Sequence, residues 1–327
     1  MNIVVTGGTG FIGEALCRHL LADGHRLTVL TRSLASAWQR LGSGPELVQW
    51  DGVNAGEWEL ALEEADGIVN LAGASIANAR WTPARKRLLI DSRVAATKAL
   101  VDGLSRRARR DAVLVNASGI GYYGASEGGR FDETAPRGVG FLADLSAAWE
   151  REASRAESFG ARVVHLRIGM VLERDGGALP RMLLPFRLGV GGPISPGTQW
   201  VSWIHRDDLI RLIVHAATEH AIAGAVNAVS PEVVTMNEFC RILGRVLHRP
   251  SWLSVPEFAL KLGLGELGSL LTTGQYVIPA KALASGFSFH YADLQSALHA
   301  ILRSNGASHP NPAGHSYGSV QDGRRSS

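Results

Sequence analysis

The segment Gly7-Gly8-Thr9-Gly10-Phe11-Ile12-Gly13 has the spacing of an anion cradle. It satisfies Gly-x-x-Gly-x-x-Gly through Gly7, Gly10 and Gly13, and Gly-x-Gly-x-x-Gly through Gly8, Gly10 and Gly13. Such glycines permit a tight turn, let backbone N–H groups approach a pyrophosphate, and let helix and strand pack closely. The apolar run Ile3-Val4-Val5 precedes the turn and a helical pattern from Glu14 follows it. The free amides therefore lie at a helix N-terminus, where the helix dipole favours an anion. Between a strand and a helix the pattern reads as a dinucleotide site rather than as a flexible turn. The end of the second strand narrows the ligand. An acidic residue there usually bonds the ribose hydroxyls of NAD, but this chain has Thr31-Arg32-Ser33. A forked guanidinium between two hydroxyls suits a 2′-phosphate, so NADP is the expected cofactor. Asp51, after the third strand, is placed to accept from the adenine amino group. Leu71-Ala72-Gly73, after the fourth, is small enough for a nucleotide backbone to pass closely.

Other polar groups invite weaker readings. His205 with Asp207 and Asp208 has the composition of a metal or His–Asp site, but two acids opening a helix are explained by capping, and no metal is expected. Trp81, Arg181, Arg187 and Trp203 are expected to edge a substrate cleft beyond the strand C-termini.

The elements that must position these residues follow from periodicity. Strands are predicted at Asn2–Thr6, Arg26–Thr31, Leu47–Trp50, Gly67–Leu71, Ala112–Ser118 and Arg162–Ile168. Helical patterns at Glu14–Ala22, Glu57–Glu64, Pro83–Leu104 and Asp144–Ser158 lie between them. That alternation predicts the α/β class, a doubly wound parallel sheet of the Rossmann type. After Ile168 the rhythm changes to Gly- and Pro-rich loops around a short helix at Pro180–Leu188. A strand at Val201–Ile204, a helix at Arg206–Thr218 and a return to the sheet at Ala225–Ala228 follow. Helices are then predicted at Met236–Leu247, Pro256–Leu262 and Tyr291–Leu302. Residues 1–170, joined again by about 203–229, form the expected dinucleotide core. Residues 171–202 and 230–303 form a small, mostly helical substrate region, and 304–327 is an expected disordered tail.

Composition excludes several classes. Apolar residues make up 46% of the 327 and charged residues 19%, as in a soluble globular protein. The net charge is only +3, and the cluster Arg106-Arg107, Arg109-Arg110 reads as a solvated helix end rather than a nucleic-acid stripe. Two well-separated cysteines, Cys17 and Cys240, sit in helical patterns, which points to core thiols in a reducing compartment. No run approaches the roughly 18 apolar residues of a membrane span. The glycine turn begins too early to leave room for a signal peptide, so cytoplasm is the expected location. The expected partner is a small-molecule substrate, with neither nucleic acid nor membrane, and the oligomeric state is open to a homodimer.

Taken together, the motifs resemble the extended short-chain dehydrogenase/reductases. More narrowly, they resemble the atypical "epimerase family", with a sugar-nucleotide-epimerase-like core and a distinctive C-terminal domain. The resemblance is carried by Gly7–Gly13, Asn70-Leu71-Ala72-Gly73-Ala74, Ser118–Gly124, Leu183-Leu184-Pro185-Phe186-Arg187, Trp203–Asp208 and Pro256–Phe289, and covers about residues 1–303. It implies a Ser/Thr, Tyr and Lys chemistry in which Tyr is the acid/base and Lys lowers its pKa and holds the nicotinamide ribose. In the superfamily's register Leu142 stands at the Tyr place and Ser146 at the Lys place, and no lysine occurs between Lys98 and Lys261. The usual Ser/Thr place holds Gly119, one residue after Ser118. Ser118 and, of the neighbouring phenols Tyr122 and Tyr123, Tyr123 are the expected catalytic residues; the alternative for either phenol is packing. The resemblance also implies that Arg93 contacts cofactor phosphate or ribose, while Lys98 reads as a solvated helix residue. Two functions remain: an NADP-dependent oxidoreductase or epimerase on a small hydroxylated substrate, or a non-catalytic NADP(H)-binding sensor.

Overall fold

Seven strands hydrogen-bond side by side, all parallel; the central ones are apolar on both faces and need a helical layer on each. The computed structural model describes residues 1–303 except 110, 127, 257, 259–261 and 263–264. In chain order the strands are β1 (Asn2–Thr6), β2 (Arg26–Thr31), β3 (Glu46–Gln49), β4 (Gly67–Asn70) and β5 (Val113–Gly119). They continue with β6 (Arg130–Phe131), β7 (Arg162–Ile168), β8 (Met170–Leu172), β9 (Trp200–Val201) and β10 (Trp203–His205). β11 (Gly224–Ala228), β12 (Val234–Thr235) and β13 (Tyr276–Val277) complete the set. The large sheet runs β11-β7-β5-β4-β1-β2-β3, so the order reverses between β1 and β4. That reversal opens a crevice at the strand C-termini, where ligands of doubly wound sheets bind.

The helices are α1 (Phe11–Ala22), α2 (Leu34–Leu41), α3 (Leu60–Glu63), α4 (Pro83–Arg106), α5 (Phe141–Ser154), α6 (Leu179–Arg187), α7 (Arg206–Thr218) and α8 (Met236–Leu247). Successive residues of a strand face opposite layers. Ile3 and Val5 accordingly pack with Leu16, Cys17 and Leu20 of α1 and Leu209 and Leu212 of α7. Val4 packs with Leu62, Leu100 and Leu104 on the other side.

The predicted elements differ from the observed ones in several places. The strand expected at Val201–Ile204 is split into β9 and β10 with different partners, and the helix expected at Glu57–Glu64 opens as a 3₁₀ turn. α1 starts at Phe11, not Glu14, because Gly10 is its N-cap and the glycine turn runs into its first turn. α2 has no counterpart among the predicted helices, although Leu34, Ala37, Trp38 and Leu41 recur at helical spacing; it is a two-turn surface helix that buries only Ala37. α5 starts at Phe141 and gives way to a 3₁₀ turn at Arg155–Phe159. The helix predicted at Pro256–Leu262 falls largely outside the described residues, as does the tail 304–327.

The second region is built around Trp203, Phe186 and Phe239, which are fully buried among α6, α8 and the helix Leu294–Arg303. Three small strand pairs, β8 with β10, β9 with β12 and β6 with β13, stitch it to the large sheet's loops. Among the described residues no helix is long and apolar enough to cross a membrane.

Candidate functional site

The glycine turn closes as its spacing requires. Gly7 has φ +69, in the left-handed region that a side chain disfavours. A Cβ added at Gly7 would lie 2.7 Å from the Leu71 carbonyl oxygen, and one added at Gly13 would lie 2.2 Å from that of Gly7. Gly10 N–H donates to Gly7 O at 2.9 Å, while Thr9 and Gly10 face outward before α1, with Phe11 and Ile12 half-buried at its first turn. The backbone therefore forms a tight cradle that a side chain would fill, open at the positive end of a helix.

Arg32 follows β2 with its side chain exposed, and its carbonyl accepts from Gln49 Nε2 at 2.8 Å. Thr31 is buried and shares a hydroxyl contact with Ser33 at 3.3 Å, and Ser33 caps α2. A second guanidinium, absent from the sequence reasoning, comes from α2: Arg40 Nη1 donates to Thr9 O at 3.4 Å and lies 3.7 Å from Glu14. Arg40 went unnoticed because its helix went unnoticed. Asp51 is exposed after β3. Its two carboxylate oxygens accept from Val53 N, Asn54 N and Asn54 Nδ2 within its own turn.

Beyond β4 the crevice floor is a polar lattice. Asn70 accepts from Thr6 Oγ1 at 2.7 Å and donates to Thr97 Oγ1 and Asn116 Oδ1, while Trp149 Nε1 donates to Thr97. Leu71 and Ala72 are half-buried and Gly73 is open. Arg93, from α4, packs under Gly73, where an added Cβ would lie 3.0 Å from its guanidinium carbon. That guanidinium is 7% exposed and lies over the Trp149 ring at 5.1 Å. Lys98 is exposed and pairs with Asp102.

The expected proton-transfer residues have other partners. Ser118 Oγ, 6% exposed, donates to Glu150 Oε1 at 2.7 Å. Glu150 in turn accepts twice from Arg167, at 2.9 and 2.8 Å. Tyr123 is 2% exposed; its hydroxyl donates to Asn227 Oδ1 at 2.7 Å and accepts from Arg167 Nη1 at 3.0 Å. Burial pushes this phenol above its ordinary value, against the pull of Arg167. Burial also works against the Arg167 charge, but Glu150 outweighs it and holds the guanidinium protonated. Tyr123 is thus a core phenol and Ser118 a donor within a buried relay. Sequence reasoning missed the relay because α5 and β7 bring Glu150 and Arg167 together with no motif spacing. Tyr122, on the same 3₁₀ turn, is half-buried with its ring face 3.5 Å from the Arg167 carbon. Its hydroxyl makes no hydrogen bond among the described residues. Leu142 does stand at the end of β5, where a Cβ on Gly121 would lie 2.9 Å from its Cβ, and Ser146 is buried one turn on.

Of the expected cleft residues, Trp203 is fully buried in the second core, not at an edge. Trp81 meets Phe141 edge-on at 5.1 Å, and Arg181 donates to Ala77 O at 3.1 Å, tying α6 to the loop after β4. Arg187 is exposed. His205 is a cap, its Nδ1 accepting from Asp207 N at 3.1 Å, and buried Asp208 accepts from His290 N and Tyr291 N. Among the described residues no group of three or more His, Cys, Asp or Glu side chains is arranged to hold a metal.

Comparison with known proteins gives consistent matches. Residues 3–228 match the NAD dependent epimerase/dehydratase family, and residues 255–301 match a domain of unknown function, DUF1731. The chain is 43% identical over 307 residues to the chloroplastic epimerase family protein SDR39U1 homolog of Arabidopsis thaliana, covering 93% of this chain and 87% of the relative. It is 39% identical over 303 residues to the epimerase family protein YfhF of Bacillus subtilis, covering 92% and 98%. The crystal structure of human epimerase family protein SDR39U1 (isoform 2) with NADPH superposes with a TM-score of 0.84 at 35% identity, covering 93% and 100%.

Proposed function

The chain belongs to the NAD dependent epimerase/dehydratase family, in the branch with a DUF1731 region, and on that footing we propose an NADP(H)-dependent oxidoreductase acting on a small hydroxylated or carbonyl substrate. The observation that carries this reading is the glycine cradle beside a strand that is followed by Arg32 rather than by a carboxylate. The human relative crystallised with NADPH supports it. Gly7, Thr9, Gly10, Phe11, Ile12 and Gly13 hold the pyrophosphate; Thr31 and Arg32, with Arg40 nearby, meet the 2′-phosphate. Leu71, Ala72 and Gly73 leave room along the crevice. NADP(H), when bound, supplies or takes up a hydride. The chain's own task is to bind, to orient and to move the accompanying proton. With Ser118 and Tyr123 committed to the relay, the Tyr122 hydroxyl is the proton donor or acceptor of this proposal.

Titration of NADPH and NADH against wild type and Arg32→Ala tests the cofactor assignment. NADPH is expected to bind more tightly, and the substitution to weaken it about tenfold or more while sparing NADH, as for loss of a charge-assisted contact. Equal affinities untouched by the substitution would sink it. A second reading, a non-catalytic NADP(H) sensor, is favoured by Leu142 and Ser146 in place of the acid/base pair and by the engaged Ser118 and Tyr123 hydroxyls. A screen of carbonyl and nucleotide-sugar substrates with NADPH separates the two. Turnover that Tyr122→Phe abolishes supports the enzyme, and NADPH binding without turnover supports the sensor.

A further inference from the structure

Five half-buried apolar side chains form one wall beyond the C-terminal ends of β4 and β5, where ligands of doubly wound sheets bind. They are Trp81 at the end of the loop after β4, Phe141 and Leu142 opening α5, and Ile120 and Tyr122 on the 3₁₀ turn after β5. The wall is continuous. Trp81 meets Phe141 edge-on at 5.1 Å, Leu142 follows Phe141 and closes on Gly121, and Ile120 and Tyr122 flank that glycine. It is also held in shape. Lys86 Nζ lies 5.0 Å from the centre of the Phe141 ring, Trp81 Nε1 donates to Ile76 O at 3.0 Å, and the Tyr122 ring lies on the Arg167 guanidinium. Leu142, at the superfamily's Tyr place, puts an apolar group in the middle of the wall. Polar groups are few. With the Trp81 N–H used, the Tyr122 hydroxyl is the wall's one uncommitted hydrogen-bonding side-chain group among the described residues. Beside the wall, Lys86 pairs with Glu266 at 2.6 Å, Arg85 donates to Ser75 O, and Arg181 donates to Ala77 O at 3.1 Å. Ser118 and Tyr123 belong to the buried relay.

A sugar laid on such a surface would give up water around several hydroxyls and gain one partner. A flat ring with one acceptor would bury apolar area against Trp81 and Phe141 and satisfy its oxygen at Tyr122. We infer that the substrate site selects a planar aromatic ketone or aldehyde, its ring on the Trp81–Phe141–Leu142 wall and its carbonyl oxygen accepting from the Tyr122 hydroxyl. The inference rests on the proposed NADP(H)-dependent reading and names a substrate class for it. Phe141 and Leu142 are then specificity-determining residues, which turn the mouth of α5 from a polar surface into an apolar one.

The test is calorimetric titration of the NADP⁺-loaded protein, which binds a carbonyl compound without reducing it, with 2-acetonaphthone and with UDP-glucose. The ketone is expected to bind at least about tenfold more tightly, as for a surface that leaves sugar hydroxyls unpartnered. Phe141→Ala is expected to weaken the ketone about three- to tenfold, as for loss of an aromatic contact, while NADPH affinity holds. Tyr122→Phe is expected to weaken it by a similar factor of about three to ten, as for loss of one hydrogen bond. Tighter binding of UDP-glucose, or ketone affinity untouched in either variant, overturns the inference. So does a protein that binds NADPH and neither probe, a result that leaves the cofactor assignment standing. A wild type that binds no NADPH would instead overturn that assignment. If Phe141→Ala loses its fold, seen in a collapsed thermal transition, Phe141→Leu carries the same comparison, since it keeps apolar volume and removes the ring.

Discussion

Two adjacent phenols show how far burial decides what a side chain does. Tyr123 holds Asn227 and Arg167 together, so Tyr123→Phe removes both hydrogen bonds inside a closed core. We expect a loss of about 1–3 kcal/mol in urea unfolding, the cost of stranding buried polar partners. Tyr122 makes no such bond, and Tyr122→Phe is expected to stay within about 0.5 kcal/mol of wild type. In the enzyme reading the same variant lowers turnover about a hundredfold or more. If instead Tyr122→Phe destabilises and Tyr123→Phe does not, the assignment is reversed. His165 adds a pH dependence of known sign. Burial holds its imidazole below the ordinary 6.5, with Nε2 2.9 Å from Ser154 Oγ and Nδ1 lacking a partner among the described residues. The folded value lies below the unfolded one, so this contribution is full above about pH 6.5 and is lost as pH falls beneath it. Chemical denaturation across that window is expected to show a shallower decline in His165→Gln than in wild type.

At the scale of elements, the glycine turn joins strand, backbone cradle and helix in seven residues. Gly13→Ala would set a Cβ 2.2 Å from the Gly7 carbonyl oxygen and 2.7 Å from Gly8 Cα. Both atoms are backbone and cannot step aside. We expect a destabilisation of at least about 1–3 kcal/mol, together with loss of NADPH binding in the same titration. Retained affinity would show that the turn has slack. This part of the molecule was legible from the sequence. Strands covered on both faces appear as continuous apolar runs, and Gly-rich turns between strand and helix have few uses. Less regular pieces were not legible. α2 is the exception, since Leu34, Ala37, Trp38 and Leu41 keep helical spacing in the sequence; it is absent from the predicted elements, and Arg40 with it. The Glu150–Arg167 pair joins a helix to a strand across the fold, so Ser118 and Tyr123 looked free when they were not. Trp203 looked like a cleft aromatic because sequence shows proximity to a motif, not the direction a side chain takes.

For the molecule as a whole, the second region is interleaved with the sheet rather than appended. Asn227 of β11 donates through Nδ2 to Ile278 O at 2.9 Å, and Glu133 accepts from both Asn227 N and Lys281 N. Ser202 donates to Gln275 O and accepts from Val277 N, and Asp208 holds the His290–Tyr291 backbone. A chain ended after residue 229 would remove the Ile278, Lys281, Gln275, Val277, His290 and Tyr291 partners of these groups and uncover the core around Trp203. We expect such a fragment to be insoluble or to lack a cooperative thermal transition by circular dichroism. A soluble fragment that unfolds cooperatively and binds NADPH would show that the sheet stands alone. The sheet's outermost strand has a consequence for synthesis as well. β11 pairs with β7, yet α6, β8 to β10 and α7 must all leave the ribosome between them. Until then the nascent chain presents β7, with Val163, Val164 and Leu166, as an edge whose amides and carbonyls have no neighbour on one side. Such an edge is a template for strangers, so the interval before β11 emerges is when the chain is most open to wrong pairing.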